Sequence, residues 1–370
     1  MMDYYFKAEH LCVGYSKQPL IEKIDIGLQK GEIMTLIGPN GAGKSTILKS
    51  IARQLSPISG TIYLDNNRTE DMTGAELSQN VAVVLTDKLR TEMMTCEDVV
   101  ATGRYPYTGM FGILSDSDRR IVKEAMDLVQ VSAIRDQDFR RISDGQRQRV
   151  MLARAICQEP ELIILDEPTS FLDVKYKLEF LSILQRMRRE KKWTIIMSLH
   201  ELELAEKVSD KILCINGKYV DRFGSPEEIF EPGYISQLFD ISTGSYDEVN
   251  GSMELATVKE PASVFVIAGG GSGRRVYRRL QRSGIAFAAG ILFENDCDYP
   301  VAKALASDLI AAAAFEPIPD ETLEMAKRRL DTCDRVICCK ESFGTYEQAN
   351  RALLDYAKLR DKQVEMLLSK

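Results

Sequence analysis

Apolar positions along the chain follow two distinct periods. The runs at 81–85 (VAVVL), 161–166 (ELIILD) and 193–199 (WTIIMSL) are almost wholly apolar and each gives way to polar residues, as expected of strands buried on both faces of a parallel sheet. Segments 118–130, 144–157 and 175–190 lie between them, and their pattern predicts covering helices. The first forty residues turn over faster. LCVGY, IEKIDIGL and GEIMTLIG read as short strands, the last running into a glycine-rich loop and then a helix. The class predicted is α/β.

At 242–262 the pattern becomes polar and rich in Gly and Ser before a new apolar run, SVFVIAGGGSG, begins. This predicts two domains, 1–260 and 261–370. The second opens as strand, glycine loop, helix and strand, the start of a Rossmann-like unit, with further helices around 301–313 and 320–330 and a strand at 335–339. Gly269, Gly270, Gly271 and Gly273 fit the dinucleotide fingerprint imperfectly, and Glu294 lies where a ribose-binding acid would be expected. Arg274, Arg278 and Arg282 share one helical face, with Arg275 and Arg279 beside it. That stripe is either a site for a phosphate-bearing ligand or a solvated face. The domain reads as a regulatory or dimerising module with a possible small-molecule ligand, an enzymatic domain being the alternative.

Composition narrows the classes. With 370 residues, 45% hydrophobic and 28% charged, the chain is not disordered or fibrous. Its 48 basic and 55 acidic residues give a net charge of -7, without the basic footprint of a nucleic-acid partner. Eight scattered cysteines, no CxxC pair and two histidines argue against zinc and for a reducing cytoplasm. The N-terminus lacks a signal-peptide layout and no apolar run approaches bilayer length, so a soluble protein is expected.

The most specific feature is Gly38-Pro39-Asn40-Gly41-Ala42-Gly43-Lys44-Ser45-Thr46, between a strand and a helix. It fits the phosphate-loop pattern in its required context. Glycines let backbone N–H groups wrap phosphates at a helix N-terminus, Lys44 would reach the β- and γ-phosphates, and Ser45 would hold Mg²⁺. About 120 residues later a buried strand ends in Asp166 and Glu167. Asp166 would support the metal, and Glu167 would polarise the attacking water. The cofactors expected are ATP and Mg²⁺.

Between these motifs, ISDGQRQ (142–148) resembles the signature of ATP-binding-cassette (ABC) ATPases, and PTSFLD (168–173), which includes Asp173, resembles their D-loop. The resemblance spans roughly 4–258 and implies a phosphate-loop core sheet, an antiparallel β subdomain and a helical signature subdomain. It also implies that His200 contacts the γ-phosphate, that Tyr15 stacks on adenine, and that Ser143, Gly145 and Gln146 face a nucleotide held by a second subunit in a head-to-tail homodimer. Ser143 is independently a good N-cap. Two positions depart from the family pattern. Asp144 stands at a signature position where glycine is usual, and Thr86 stands where a metal-binding, partner-coupling glutamine is usual; its hydroxyl could still ligate the metal.

CEDVVATGRYPY at 96–107 resembles the helical subdomain of importer ATPases for iron-siderophore, haem and vitamin B12 complexes, which would put Arg104, Tyr105, Pro106 and Tyr107 near the permease-binding surface. The function implied is the ATP-hydrolysing subunit of an ABC importer, working with separate membrane permease subunits and indirectly with a substrate-binding protein. It would be cytoplasmic and peripheral on the inner face of the cell membrane. The rival is a soluble, non-transport ABC ATPase regulated by its C-terminal domain; the second cassette or coiled-coil insertion usual in that class is not seen.

Overall fold

The apolar runs of the N-terminal half pair into one ten-stranded sheet, in a computed structural model that describes residues 4–85, 93–109 and 112–367. Its strands are β1 (Phe6–Tyr15), β2 (Gln18–Leu28), β3 (Ile33–Ile37), β4 (Ser59–Leu64), β5 (Asn67–Arg68), β6 (Val81–Val84), β7 (Leu162–Leu165), β8 (Thr194–Ser198), β9 (Lys211–Asn216) and β10 (Tyr219–Gly224). They lie in the order β5-β4-β1-β2-β10-β9-β3-β8-β7-β6. The block β9-β3-β8-β7-β6 is parallel, and every residue of β3, β7 and β8 is buried, which is why these strands read as unbroken apolar runs. Strands β1, β2, β4 and β5 pair antiparallel beside it.

The helices of this half are α1 (Lys44–Ile51), α2 (Gly74–Asn80), α3 (Cys96–Ala101), α4 (Asp116–Leu128), α5 (Asp144–Cys157), α6 (Val174–Lys191), α7 (Leu202–Val208), α8 (Pro226–Ile229) and α9 (Tyr234–Leu238). Thr73, Thr95, Ser115 and Ser143 each start a helix with a reciprocal capping box, so the N-termini of α2, α3, α4 and α5 are written locally in the sequence.

The chain divides into two units, Met1–Phe239 and Asp240–Lys370, about twenty residues before the boundary read from composition. The polar stretch belongs to the second unit for a physical reason. It forms a hairpin, β11 (Ser245–Asp247) and β12 (Ser252–Glu254), whose Glu254 pairs with Arg278. Just beyond it, Thr257 donates to the Ala304 carbonyl at 2.7 Å.

The second unit continues with β13 (Val264–Ile267), α10 (Arg274–Arg282), β14 (Phe287–Phe293), α11 (Tyr299–Leu305), β15 (Asp308–Ala312), α12 (Asp320–Asp331), β16 (Arg335–Cys338), α13 (Gln348–Leu359) and β17 (Gln363–Met366). The five strands of its main sheet are parallel in the order β15-β14-β13-β16-β17, the order of a doubly wound sheet. One apolar cluster packs α10 and α11 on one face, and a second packs α12 and α13 on the other. The expected helix over 301–313 is not continuous. It ends at Leu305, and Asp308–Ala312 is a strand paired with β14, because sheet pairing overrides the helical preference of an alanine-rich stretch.

Candidate active site

Strand order brings the chemistry together. β8 lies between β3 and β7, so the loops leaving their C-terminal ends, which carry the phosphate loop, Asp166-Glu167 and His200, open side by side. Gly38 takes φ 148°, and an added Cβ would lie 2.4 Å from the Ile215 carbonyl oxygen, so only glycine fits there. Gly43 is the left-handed N-cap of α1 and has no side-chain cap, which leaves Lys44, Ser45 and Thr46 at the opening of a helix whose N-terminal donors suit phosphate. Pro39 accepts the Ala42 N–H, giving the loop its turn, and Asn40 and Gly41 are exposed on it.

Lys44 is 6% exposed and its Nζ donates to the carbonyls of Gly38 (2.7 Å) and Pro39 (3.1 Å). Burial lowers its pKa from the usual lysine range, while the charges of Glu167 and Asp166 oppose that shift. Tyr15 is 53% exposed, with its hydroxyl 3.3 Å from Thr46 Oγ1, so an accessible ring stands beside the phosphate loop.

Asp166 is buried and accepts a 2.7 Å hydrogen bond from Ser198 Oγ. The same oxygen accepts the Glu167 N–H at 2.9 Å. Ser198 therefore ties both acids to the end of β8, a role that inspection of the sequence missed; the one signal was a hydroxyl two residues before His200. Glu167 has φ 49°, a conformation rare for a residue with a side chain and common where function demands it. One carboxylate oxygen lies 2.6 Å from His200 Nε2 and the other accepts from Ser170 Oγ at 3.2 Å. Glu201, the next residue after His200, accepts from Thr169 and pairs with Lys177.

The signature lies at the start of α5. Ser143 Oγ accepts the Gln146 N–H and Gln146 Oε1 accepts the Ser143 N–H, so within this chain the serine hydroxyl caps its own helix. An added Cβ on Gly145 would stand 3.2 Å from the Phe171 carbonyl oxygen, which keeps α5 close to the D-loop segment. Asp173 caps α6 through the Tyr176 N–H. Thr86 lies outside the described residues.

The surface expected to meet a partner divides. Arg104 is 5% exposed, bound to Asp118 and Glu159 at 2.9 Å each and to the Cys157 carbonyl. It is a structural ion pair, not a surface contact. Tyr105 is exposed and with Pro106 helps line a cleft of about 850 Å³, along with Leu77, Ser78, Val83 and Arg154.

In the second unit the glycine loop is already occupied by carboxylates of its own domain. Asp296 accepts the Gly270 N–H, and the fully buried Asp298 accepts those of Gly273 and Arg274. Arg274 in turn donates to the Cys297 carbonyl, and Arg278 is committed to Glu254. Much of the basic stripe is thus used inside the domain.

Comparison with known proteins agrees with this geometry. The family model described as ABC transporter matches residues 21–170, and one described as the MJ0874 family matches 287–370. An ABC transporter ATP-binding protein of Methanocaldococcus jannaschii is 42% identical over 75% of this chain and 96% of its own length. The iron(3+)-hydroxamate import ATP-binding protein of Bacillus subtilis is 34% identical over 68% of this chain and 98% of its own. The cobalamin import ATP-binding protein of Halobacterium salinarum is 29% identical, covering 84% and 79%. Among solved structures, cbiO1 of Clostridium perfringens, part of an ABC transporter complex, matches with TM-score 0.55 and 27% identity over 65% of this chain and 96% of that one. A dimeric ATP-binding cassette bound to ADP and phosphate shares the fold at TM-score 0.54 and 23% identity, covering 60% and 98%.

Proposed function

Because the chain belongs to the ATP-binding proteins of ABC transporters, ATPases that power transport, we propose that it energises the import of a metal-chelate or corrinoid cargo through separate permease subunits. The observation that carries the reading is the match, over 98% and 86% of their own lengths, to relatives named as an iron(3+)-hydroxamate import ATP-binding protein and a probable siderophore transport system ATP-binding protein. The cleft beside Tyr105 and Pro106, lined by apolar and polar side chains alike, offers room for a segment of a partner. The protein would then lie at the inner face of the membrane through its permease, with a substrate-binding protein choosing the cargo.

In the mechanism proposed, two chains close head to tail on two ATP molecules, and the binding energy of nucleotide drives the closure. Lys44 exchanges its loop carbonyls for phosphate oxygens, and Tyr15 offers its exposed face to adenine. Asp166 and Ser45 would hold Mg²⁺, for which a donor set of carboxylate and hydroxyl oxygens is suited; when bound, the ion would supply neutralisation of phosphate charge. Phosphoryl transfer needs mostly positioning. Glu167 orients the attacking water, and His200, now paired with Glu167, turns to the γ-phosphate. The second unit is read as a regulatory or dimerising module.

Purification of the tagged protein from gently solubilised native membranes tests the transport reading. A polytopic permease and a substrate-binding protein are expected among the co-purifying chains. Recovery of soluble proteins alone, under conditions that preserve other transporters, would overturn it.

A further inference from the structure

We propose that the Asp144–Arg147 ion pair sets the affinity of the assembled cassette for nucleotide, with Arg147 neutralising a carboxylate that would otherwise oppose the incoming triphosphate. The inference rests on the head-to-tail reading above, in which the start of α5 faces a nucleotide held by the second chain. Asp144 is the first residue of that helix and its side chain is 61% exposed. A carboxylate in the first turn favours the helix itself but places negative charge where an anion must arrive. Arg147, one turn on, pairs with it.

The arginine is not a loosely held surface cation. Its Nη2 reaches the Ile142 and Arg140 carbonyls at 3.4 and 3.5 Å, and its guanidinium stands 5.7 Å from the ring centroid of the buried Phe139. Backbone and ring fix the cation, and the cation fixes the carboxylate. In a free subunit such a pair is screened by water and contributes little. Once a second chain and a triphosphate cover the surface, screening falls and the uncompensated sign of the local charge governs binding.

The test is steady-state ATP hydrolysis by the full chain over a range of ATP concentrations. Arg147→Ala is expected to raise KM about tenfold with a smaller change in kcat, the signature of weakened binding in ground and transition states alike. Adding Asp144→Asn to that variant should bring KM back to within about twofold of the parent, because the charge needing compensation is gone. Arg147→Lys, which keeps the charge, should stay near the parent and shows that the position tolerates change. High salt should narrow the gap between Arg147→Ala and the parent. An unchanged KM in Arg147→Ala, or a defect that Asp144→Asn leaves in place, would overturn the proposal and make Arg147 a packing residue. ATP-dependent dimerisation of the full-length Glu167→Gln variant, followed by light scattering, tests the head-to-tail reading by itself: absence of a dimer sinks that reading, whereas a dimer together with an unchanged KM in Arg147→Ala sinks this proposal alone.

Discussion

Ser198 shows how much one buried hydroxyl can organise. It donates to Asp166 and accepts from the Glu167 amide, so the carboxylate assigned to the metal and the one assigned to water share a single anchor. Replacing it with alanine removes both bonds without adding bulk. Outer partners of metal-holding groups typically contribute ten- to a hundredfold in activity or metal affinity. Ser198→Ala is therefore expected to lower kcat about tenfold and raise the Mg²⁺ concentration needed for half-maximal rate, with a modest loss of thermal stability from the two buried bonds left unmade. Hydrolysis assays at several Mg²⁺ concentrations check this; an unaltered Mg²⁺ requirement would mean the serine only packs. The residue was illegible beforehand because a serine ending an apolar run is ordinary, and only the adjacency of β7 and β8 gives it two acidic neighbours.

At the scale of elements, the helical segment holding α3, α4 and α5 is locked by Arg104, which reaches Asp118 of α4, the carbonyl of Cys157 at the end of α5, and Glu159 just beyond it. The Asp118 carboxyl is held below the usual range, chiefly by its bonds to Ser115 and with help from Arg104. A depressed carboxylate contributes stability that is present above its unfolded pKa, near 4, and is lost as pH falls through the lower folded value. Denaturant unfolding from pH 7 to 3 should show that loss in the parent and a flatter profile in Asp118→Asn. Arg104→Ala, which strands a buried carboxylate, should cost about 3 kcal/mol at pH 7. The strands and helices of this half were readable because burial on both faces of a sheet and on one face of a helix leaves different periods in the sequence. Arg104 was misplaced because GRYPY has the composition of an exposed turn, and its partners lie at 118 and 159, too distant in sequence for a local pattern to reveal. The stretch 301–313 was misread for a related reason: alanine favours helix locally, and β14 decides otherwise.

At the scale of the whole molecule, each unit carries its own apolar core, and separate cores predict separable folding. Residues 240–370 expressed alone should give a cooperative calorimetric transition, and the full chain should show two, with ATP and Mg²⁺ raising only the one that belongs to the cassette. A single transition shifted as a whole by ATP would show the two units to be thermodynamically coupled. The nucleotide motifs were legible because their chemistry is contiguous, loop by loop. The domain boundary was blurred because a polar hairpin looks like a linker until Glu254 and Thr257 are seen bound to the second unit.

The carboxylates of Asp296 and Asp298, which reach that second glycine loop from the segment between β14 and α11, act as tethered competitors. A ligand phosphate arriving there would meet an internal anion held at an effective concentration on the order of millimolar or more, with its hydrogen bonds to Gly270, Gly273 and Arg274 already made. Free nucleotides would have to displace it from solution. A nucleotide would therefore gain less from these amides than from those of the phosphate loop, where no carboxylate among the described residues stands in its way.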